Sequence, residues 1–332
     1  MQKVDAIIVG GGPCGLSAAI ELQNIGLCPI VIEKGNIVNA LYNYPTHQTF
    51  FSTSEKLAIG DVPFIIEERK PRRNQALVYY REVVKAKQVN VHRFETVRQV
   101  DKRGNMFMVT TDKDMYETAY VVLATGYYDH PNMLHIPGEN LPKVHHYFKE
   151  AHPYFDTDVV VIGGKNSAVD AALELHKAGA RVTVVYRGSE YSTSIKPWIL
   201  PEFESLVRHG EIAMHFNSTI TAVTEHDVTL MIEGETRTIK NDFVFAMIGY
   251  HPDHAFVKAM GVEIDNETGR PSYNAETMET NVEGLFIAGV LAAGNNANEI
   301  FIENGRFHGG MIAQYIASKQ DKYIQQMQQA QQ

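Results

Sequence analysis

One pattern occurs twice in this chain and leaves little freedom in what the chain can fold into. Asp5-Ala6-Ile7-Ile8-Val9 runs into Gly10-Gly11-Gly12-Pro13-Cys14-Gly15-Leu16, and Asp158-Val159-Val160-Val161-Ile162 runs into Gly163-Gly164-Lys165-Asn166-Ser167-Ala168-Val169. Each is a short β-branched run, a glycine turn, and then apolar residues at helical spacing. Ala168, Ala171, Ala172 and Leu175 form one helix face, and Leu16, Ala19 and Ile20 begin another. Each helix stops near a glycine, Gly26 or Gly179, as a C-terminal cap should. Each is followed by a new strand, over 29–32 or 181–185. The expected fold class is α/β, with two Rossmann-like βαβ dinucleotide-binding domains.

Between the repeats, 75–88 reads as a helix, and 89–92, 106–110 and 119–123 as short strands. Residues 128–157, rich in Pro, His, Tyr and Gly, read as a connecting segment. Short strands return after 212, with 242–248 and 284–287 the most hydrophobic. Residues 297–318 look helical, and the glutamine-rich tail 321–332 is expected to fray. The adjacent His145-His146 lacks a metal-ligand partner at useful spacing and reads as surface, so no metal site is expected.

Thirty Lys and Arg against thirty-nine Asp and Glu give a net charge of −9. Nucleic acid is therefore not the expected partner, because neutralising phosphates needs a basic face. Two cysteines, Cys14 and Cys28, exclude a disulfide framework and a four-cysteine zinc site. No apolar run approaches the roughly 18 residues of a membrane helix, and strand and glycine follow Met1 too closely for a secretory leader. A reduced, cytoplasmic protein without a membrane partner is expected.

In the first turn, Gly10-x-Gly12-x-x-Gly15 follows a strand and opens a helix, and Glu33 ends the next strand eighteen residues after Gly15. Gly10 makes the tight turn, Gly12 lets backbone approach a pyrophosphate, and Gly15 lets helix and strand pack closely. The helix N-terminus offers free N–H groups to the phosphates, and Glu33 can accept from ribose hydroxyls. In the second turn, Lys165 stands where the second glycine is usual, and Asn166 and Ser167 can cap the helix. The following strand ends at Tyr186-Arg187 with no acid at its tip. An acid there repels a 2′-phosphate and an arginine pairs with it, so NADPH is expected rather than NADH. Lys196 is a second candidate for that phosphate, against the alternative of a solvated basic loop.

Two dinucleotide sites on one chain suggest a relay of hydride from nicotinamide to a flavin. The chain resembles the two-dinucleotide flavoproteins, which include thioredoxin reductases, glutathione reductases and flavin monooxygenases. Val122-Leu123-Ala124-Thr125-Gly126 resembles the motif where the chain leaves the FAD domain, and Gly249-Tyr250-His251-Pro252-Asp253 the one ending the NADPH domain. Residues 280–289, ending Ala288-Gly289, resemble the C-terminal flavin motif, except that Val290 replaces its usual aspartate. Asn295, Asn298 and Glu303 are candidates to take over that aspartate's bond. The resemblance implies a discontinuous FAD-binding domain, 1–126 with 251–332, and an NADPH-binding domain with its connecting segment at 127–250, the second inserted into the first. It also implies a homo-oligomer, dimer or tetramer.

Thioredoxin reductases carry a Cys-x-x-Cys and glutathione reductases a spaced pair. This chain has neither. Cys14 and Cys28 bracket one helix, roughly 20 Å of rise, whereas disulfide Cα atoms lie within about 7 Å. No internal dithiol can relay electrons. Gly10–Gly15, 44–52 (Tyr-Pro-Thr-His-Gln-Thr-Phe-Phe-Ser), 163–168 and 303–309 (Glu-Asn-Gly-Arg-Phe-His-Gly) together resemble the YpdA-type bacillithiol disulfide reductases. That resemblance implies an enzyme in which NADPH reduces FAD and the flavin reduces a small-molecule disulfide, bacillithiol disulfide. It adds Pro13, Gln48, Thr125, Gly126 and Gly289 to the cofactor-binding residues. It also places the 42–53 segment, with Tyr42, Tyr44, Phe50 and Phe51, near the flavin.

The same resemblance makes Cys14 the catalytic thiol. The first turn of a helix favours thiolate, while a bound pyrophosphate at the same N-terminus opposes it. The alternative is a small buried cysteine in the space alanine often fills. Cys28 reads as core filler. Three other functions stay open on sequence: a flavin monooxygenase, for which Leu123-Ala124-Thr125-Gly126-Tyr127 speaks; a ferredoxin–NADP reductase, which also lacks the cysteine pair; and a non-enzymatic redox sensor.

Overall fold

In the computed structural model, residues 1–296 and 298–329 are described, with 322–329 by backbone alone. The first half opens with β1 (Gln2–Val9), α1 (Pro13–Asn24) and β2 (Pro29–Glu33). Ala6–Val9 and Pro29–Ile32 are apolar and buried, as a parallel strand covered on both faces requires, and β2 ends in the buried Glu33. α1 starts at Pro13, where a missing N–H costs nothing. Next come α2 (Asn39–Asn43), α3 (Ser54–Leu57) and α4 (Arg73–Ala86), then β3 (Val91–Arg93), β4 (Val97–Arg103), β5 (Met106–Thr111) and β6 (Met115–Leu123). The sheet order is β3-β2-β1-β6-β5-β4, with β4, β5 and β6 antiparallel. β4 was not expected. Its sequence, Val-Arg-Gln-Val-Asp-Lys-Arg, is that of an edge strand whose one buried residue is Val100.

The chain continues through β7 (Val144–His145), β8 (Asp158–Ile162), α5 (Asn166–Lys177), β9 (Arg181–Val185), α6 (Leu200–Arg208) and β10 (Ala213–His215). An antiparallel set follows, β11 (Ser218–Val223), β12 (Asp227–Ile232) and β13 (Glu235–Lys240), before β14 (Phe243–Ala246). β10-β9-β8-β14-β7 form an all-parallel sheet around a separate apolar core that includes Val161, Ala172, Val184 and Phe245. The segment expected only to connect thus supplies β7. His145 is not a surface residue: its ring lies 5.2 Å from that of Phe245 and 6.2 Å from that of Tyr154. His146 is half-buried, 3.7 Å from Glu139. No metal-binding group of His, Cys, Asp or Glu occurs among the described residues.

The final stretch holds α7 (His254–Ala259), β15 (Leu285–Ile287), α8 (Ile302–Gly305) and α9 (His308–Gln329). β15 pairs parallel to β6 along Val121–Leu123, while β5 bonds the other half of β6, Met115–Thr118. α9 packs on α1 so closely that a Cβ on Gly309 would fall 2.6 Å from Ala18 Cα. The helix expected over 297–318 is broken: 298–301 are not helical, and Ala297 lies outside the described residues. α9 runs past the expected fraying point at 321, and residues 330–332 lie outside the described residues. The chain divides into two compact units, Met1–His130 with Tyr250–Gln332, and Pro131–Gly249. Their limits differ by a few residues from the boundaries expected at 126/127 and 250/251. No helix among the described residues is long and apolar enough to cross a membrane.

Candidate functional site

In the first unit, Gly10 turns at φ +109°, its N–H bonding Ile32 O at 2.9 Å. A Cβ here would sit 2.4 Å from Ala124 O, and one on Gly15 would sit 2.0 Å from Gly10 O, so both positions exclude a side chain. Gly12, the residue before α1, is different: a Cβ there meets nothing within 4 Å. The bare backbone of this turn faces open space at a helix N-terminus, as a pyrophosphate requires. Glu33, at the tip of β2, is 7% exposed. Its Oε2 accepts from Gly11 N at 2.7 Å and its Oε1 from Gly35 N at 2.8 Å. One lone pair on each oxygen stays available for a ribose hydroxyl. Burial pushes this carboxyl above its ordinary value, against the two amides that pull it down.

Thr125 and Gly126 follow β6. Thr125 Oγ1 is buried without a hydrogen-bond partner, and Gly126, at φ +70°, borders open space. A buried hydroxyl lacking a partner costs about 1–3 kcal/mol unless a ligand completes it. Gly289, beyond β15, donates its N–H to His308 Nδ1 at 3.1 Å. Burial holds the His308 imidazole below its ordinary value, so it is neutral at pH 7. His308 falls within the 303–309 motif, but no spacing rule tied it to Gly289, nineteen residues back. Orphaned hydroxyl, side-chain-free turn and strand-tip carboxylate together fit FAD.

Among the candidates to replace the missing aspartate, Glu303 accepts from Ser52 Oγ at 2.7 Å and pairs with Lys56 at 3.6 Å, so it ties down the 52–56 segment. Asn295 packs against Gly269, and Asn298 N bonds Asn296 Oδ1. Gln48 turns its amide nitrogen to Thr49 O at 2.8 Å. Tyr44 meets Tyr128 edge-on at 4.9 Å, and Tyr128 meets Tyr250 at 4.6 Å. Burial raises the Tyr44 hydroxyl far above its ordinary value, with Tyr127, Tyr250 and Cys14 near enough to add to the effect. Tyr42 and Phe51 are exposed.

Cys14 is the second residue of α1. Cβ atoms built on Gly289 and Gly305 would lie 3.1 and 3.0 Å from its Sγ. Burial pushes the thiol up to about 12, so at neutral pH it keeps its proton despite the helix N-terminus. Both cysteines are free. Cys28 is exposed rather than core filler: β2 begins one residue later, and Cys28 N bonds Asp5 Oδ2 at 2.7 Å on the outside.

The second unit repeats the turn with different chemistry. Gly163, at φ +134°, donates to Val185 O at 3.0 Å, and a Cβ on it would sit 2.5 Å from Met247 O. Ala168 takes the place that Gly15 holds in the first turn. Gly10 bonds Ile32 and Gly163 bonds Val185, so Tyr186 is the positional counterpart of Glu33. Its ring lies where a Cβ on Gly164 would be, at 2.3–2.5 Å. No carboxylate stands at this strand tip. Lys165 precedes α5 and is exposed, as are Ser167 and Arg187. Arg187 makes no ion pair or side-chain hydrogen bond among the described residues, whereas its counterpart Lys34 pairs with Asp129 at 2.9 Å. The Asn166 carboxamide bonds Ser194 O and Lys196 N. Exposed cations and a side-chain-poor turn fit a phosphorylated dinucleotide.

The candidates therefore fall into two groups. Gly10, Gly12, Pro13, Cys14, Gly15, Glu33, Thr125, Gly126 and Gly289 gather at the carboxyl ends of β1, β2, β6 and β15. Gly163, Lys165, Asn166, Ser167, Ala168, Arg187 and Lys196 gather at the carboxyl ends of β8 and β9.

The chain is 69% identical over 323 residues to bacilliredoxin reductase Bdr of Bacillus subtilis, covering 97% of this chain and all of that protein. Solved structures of bacillithiol disulfide reductase Bdr (YpdA) from Bacillus cereus and Staphylococcus aureus superpose with TM-scores of 0.95 and 0.94, at 68% and 64% identity. Each covers 96% of this chain, which in turn spans 100% and 99% of those chains. Residues 7–289 match the pyridine nucleotide-disulphide oxidoreductase family. The chain belongs to that family of FAD- and NADPH-dependent enzymes.

Proposed function

We propose that this enzyme uses NADPH to reduce a low-molecular-weight disulfide, bacillithiol disulfide, to two thiols. The balance is NADPH and a proton plus one disulfide, giving NADP⁺ and two thiols. The observation that carries the reading is the missing dithiol. The two cysteines lie at opposite ends of α1, Cys14 in its first turn and Cys28 exposed past its end, so electrons must pass to an acceptor brought from outside without an internal dithiol relay. The relatives' names, which specify bacillithiol disulfide or bacilliredoxin, support this acceptor class.

Bound FAD would supply the chemistry of accepting hydride from NADPH and passing electrons to the disulfide. Gly10, Gly12, Pro13, Gly15, Glu33, Gln48, Thr125, Gly126 and Gly289 are the residues proposed to hold FAD, in the unit Met1–His130 with Tyr250 onward. Gly163, Lys165, Asn166, Ser167, Ala168, Arg187 and Lys196 are proposed to hold NADPH, in Pro131–Gly249. Cytoplasmic location accords with a free-thiol chemistry, and a homo-oligomer, dimer or tetramer, completes the proposal.

Cys14 is proposed as the catalytic thiol. Attack of its Sγ on a substrate sulfur would form a mixed disulfide and release one thiol. A thiol held at about 12 must first lose its proton, so the Cys14-dependent rate should rise with pH. The purified yellow protein, assayed anaerobically for NADPH loss with bacillithiol disulfide, with other small disulfides and with an oxidised bacilliredoxin, tests the reading. Turnover with the small disulfide alone is expected, and turnover only with the protein acceptor refutes it. Cys14→Ala should keep NADPH oxidation by an artificial acceptor and lose disulfide turnover. Unchanged disulfide turnover removes Cys14 from the mechanism. Release of thiol without oxygen also separates this reading from a monooxygenase.

A further inference from the structure

Asn166 opens α5, where a side chain at a nucleotide turn is expected to face the ligand. Its carboxamide faces the chain's own 192–196 loop instead. Nδ2 donates to Ser194 O at 2.8 Å, and Oδ1 accepts from Lys196 N at 2.9 Å. Two bonds of opposite polarity on one amide fix both the place of the loop and the orientation of the amide. Between the anchored residues, Ile195 is 5% exposed and pins the loop to the core of its unit. The loop carries two serines with hydroxyl oxygens 2.8 Å apart, and Ser194 N donates on to Ser192 Oγ at 3.3 Å. It is the continuation of the chain from β9 through Arg187, the exposed cation at the strand tip.

We infer that Asn166 is a positioning residue for the 2′-phosphate of NADPH. It holds the 192–196 loop beside the N-terminus of α5, so that the Ser192 and Ser194 hydroxyls and the Lys196 ammonium join Arg187 as donors to that phosphate. The inference rests on the NADPH reading above and deepens it. A phosphate dianion needs several convergent donors. A single exposed arginine must lose its own rotamer freedom on binding, whereas a loop anchored in advance has already lost most of its freedom on folding. The turn and α5 serve the pyrophosphate that NADPH and NADH share. The chain leaving β9 is what remains to face the ribose that distinguishes them. The anchoring therefore acts on discrimination between the two cofactors and not on the chemistry.

The test is Asn166→Ala in the FAD-loaded enzyme, with an artificial electron acceptor and either NADPH or NADH. Losing the two bonds should raise KM for NADPH about tenfold more than KM for NADH, the size of two ordinary hydrogen bonds. Calorimetry should show the same loss for 2′,5′-ADP and none for 5′-AMP. Asn166→Asp keeps the acceptor for Lys196 N, loses the donor and adds a charge, so its NADPH effect should be larger. Equal effects on NADPH and NADH, or no effect on either, overturn the inference. If Asn166→Ala fails to fold, as read from circular dichroism, Ser192→Ala carries the test. That variant leaves the anchor intact and should raise the NADPH KM about threefold, and an unchanged value overturns the inference. Arg187→Ala in the same assay separates the two levels. An unchanged NADPH-to-NADH ratio there fails the 2′-phosphate reading itself, whereas a shifted ratio with an inert Asn166→Ala fails only the role of Asn166.

Discussion

The turn after β1 and the turn after β8 share a backbone and differ in almost every side chain. Each begins with a glycine at positive φ whose amide bonds the neighbouring strand and whose missing Cβ leaves room for a carbonyl, Ala124 O or Met247 O. Past that point they diverge. The first has Gly12, bare, and a buried Glu33 at the adjacent strand tip. The second has Lys165, exposed, and Tyr186 then Arg187 in the corresponding places. The backbone sets what both can hold, a pyrophosphate at a helix N-terminus. On the assignment proposed above, the residues at and just past the strand tip set which sugar follows, because a carboxylate accepts from two hydroxyls and a guanidinium pairs with a phosphate.

The shared part of that comparison should give the largest effect when broken. Gly10→Ala drives a methyl to within 2.4 Å of Ala124 O at a φ of +109°. We expect colourless protein, with FAD affinity reduced by more than about a hundredfold; titration with added FAD, read by flavin fluorescence, checks this. The divergent part comes next. Arg187→Ala removes a charge-assisted bond and should raise KM for NADPH by about 10- to 100-fold while leaving NADH unaffected; a two-cofactor steady-state comparison reads it.

The smallest effect concerns Cys14, which the second turn does not match. In the unfolded chain a thiol titrates near about 8.5, and in the folded protein Cys14 titrates at about 12. Between those values the folded state holds a proton that the unfolded state has lost, so stability falls as pH rises through this window. Cys14→Ala lacks that loss. The stability of the wild type relative to the variant should therefore drop by about 1–2 kcal/mol between pH 8 and pH 10, measured by paired denaturant melts under reducing conditions.

The two turns were legible because their strands are apolar on both faces and because Gly10, Gly15 and Gly163 leave no room for a side chain. Such features are local, and so they show in the sequence. β4 was not legible, since a polar edge strand alternates around only one buried residue. Cys28 misled because it follows a helix and precedes an apolar run, yet strand register starts at Pro29. Glu33 was legible as an acceptor, but its two amide donors were not. His308, the Tyr44–Tyr128–Tyr250 rings and the Asn166 anchor depend on partners nineteen to more than a hundred residues away, which no spacing rule links.

β6 shares one edge between two partners, β5 on its first half and β15 on its last. A ribosome must therefore deliver the whole of Pro131–Gly249 before residues 285–287 emerge to close that edge. During synthesis one nucleotide fold has all its strands while the other still exposes three backbone rungs beside Val121–Leu123, an open template for stray pairing. Chains cut short before Leu285 should accumulate as aggregates in which the later-encoded unit is intact and the first-encoded one is not.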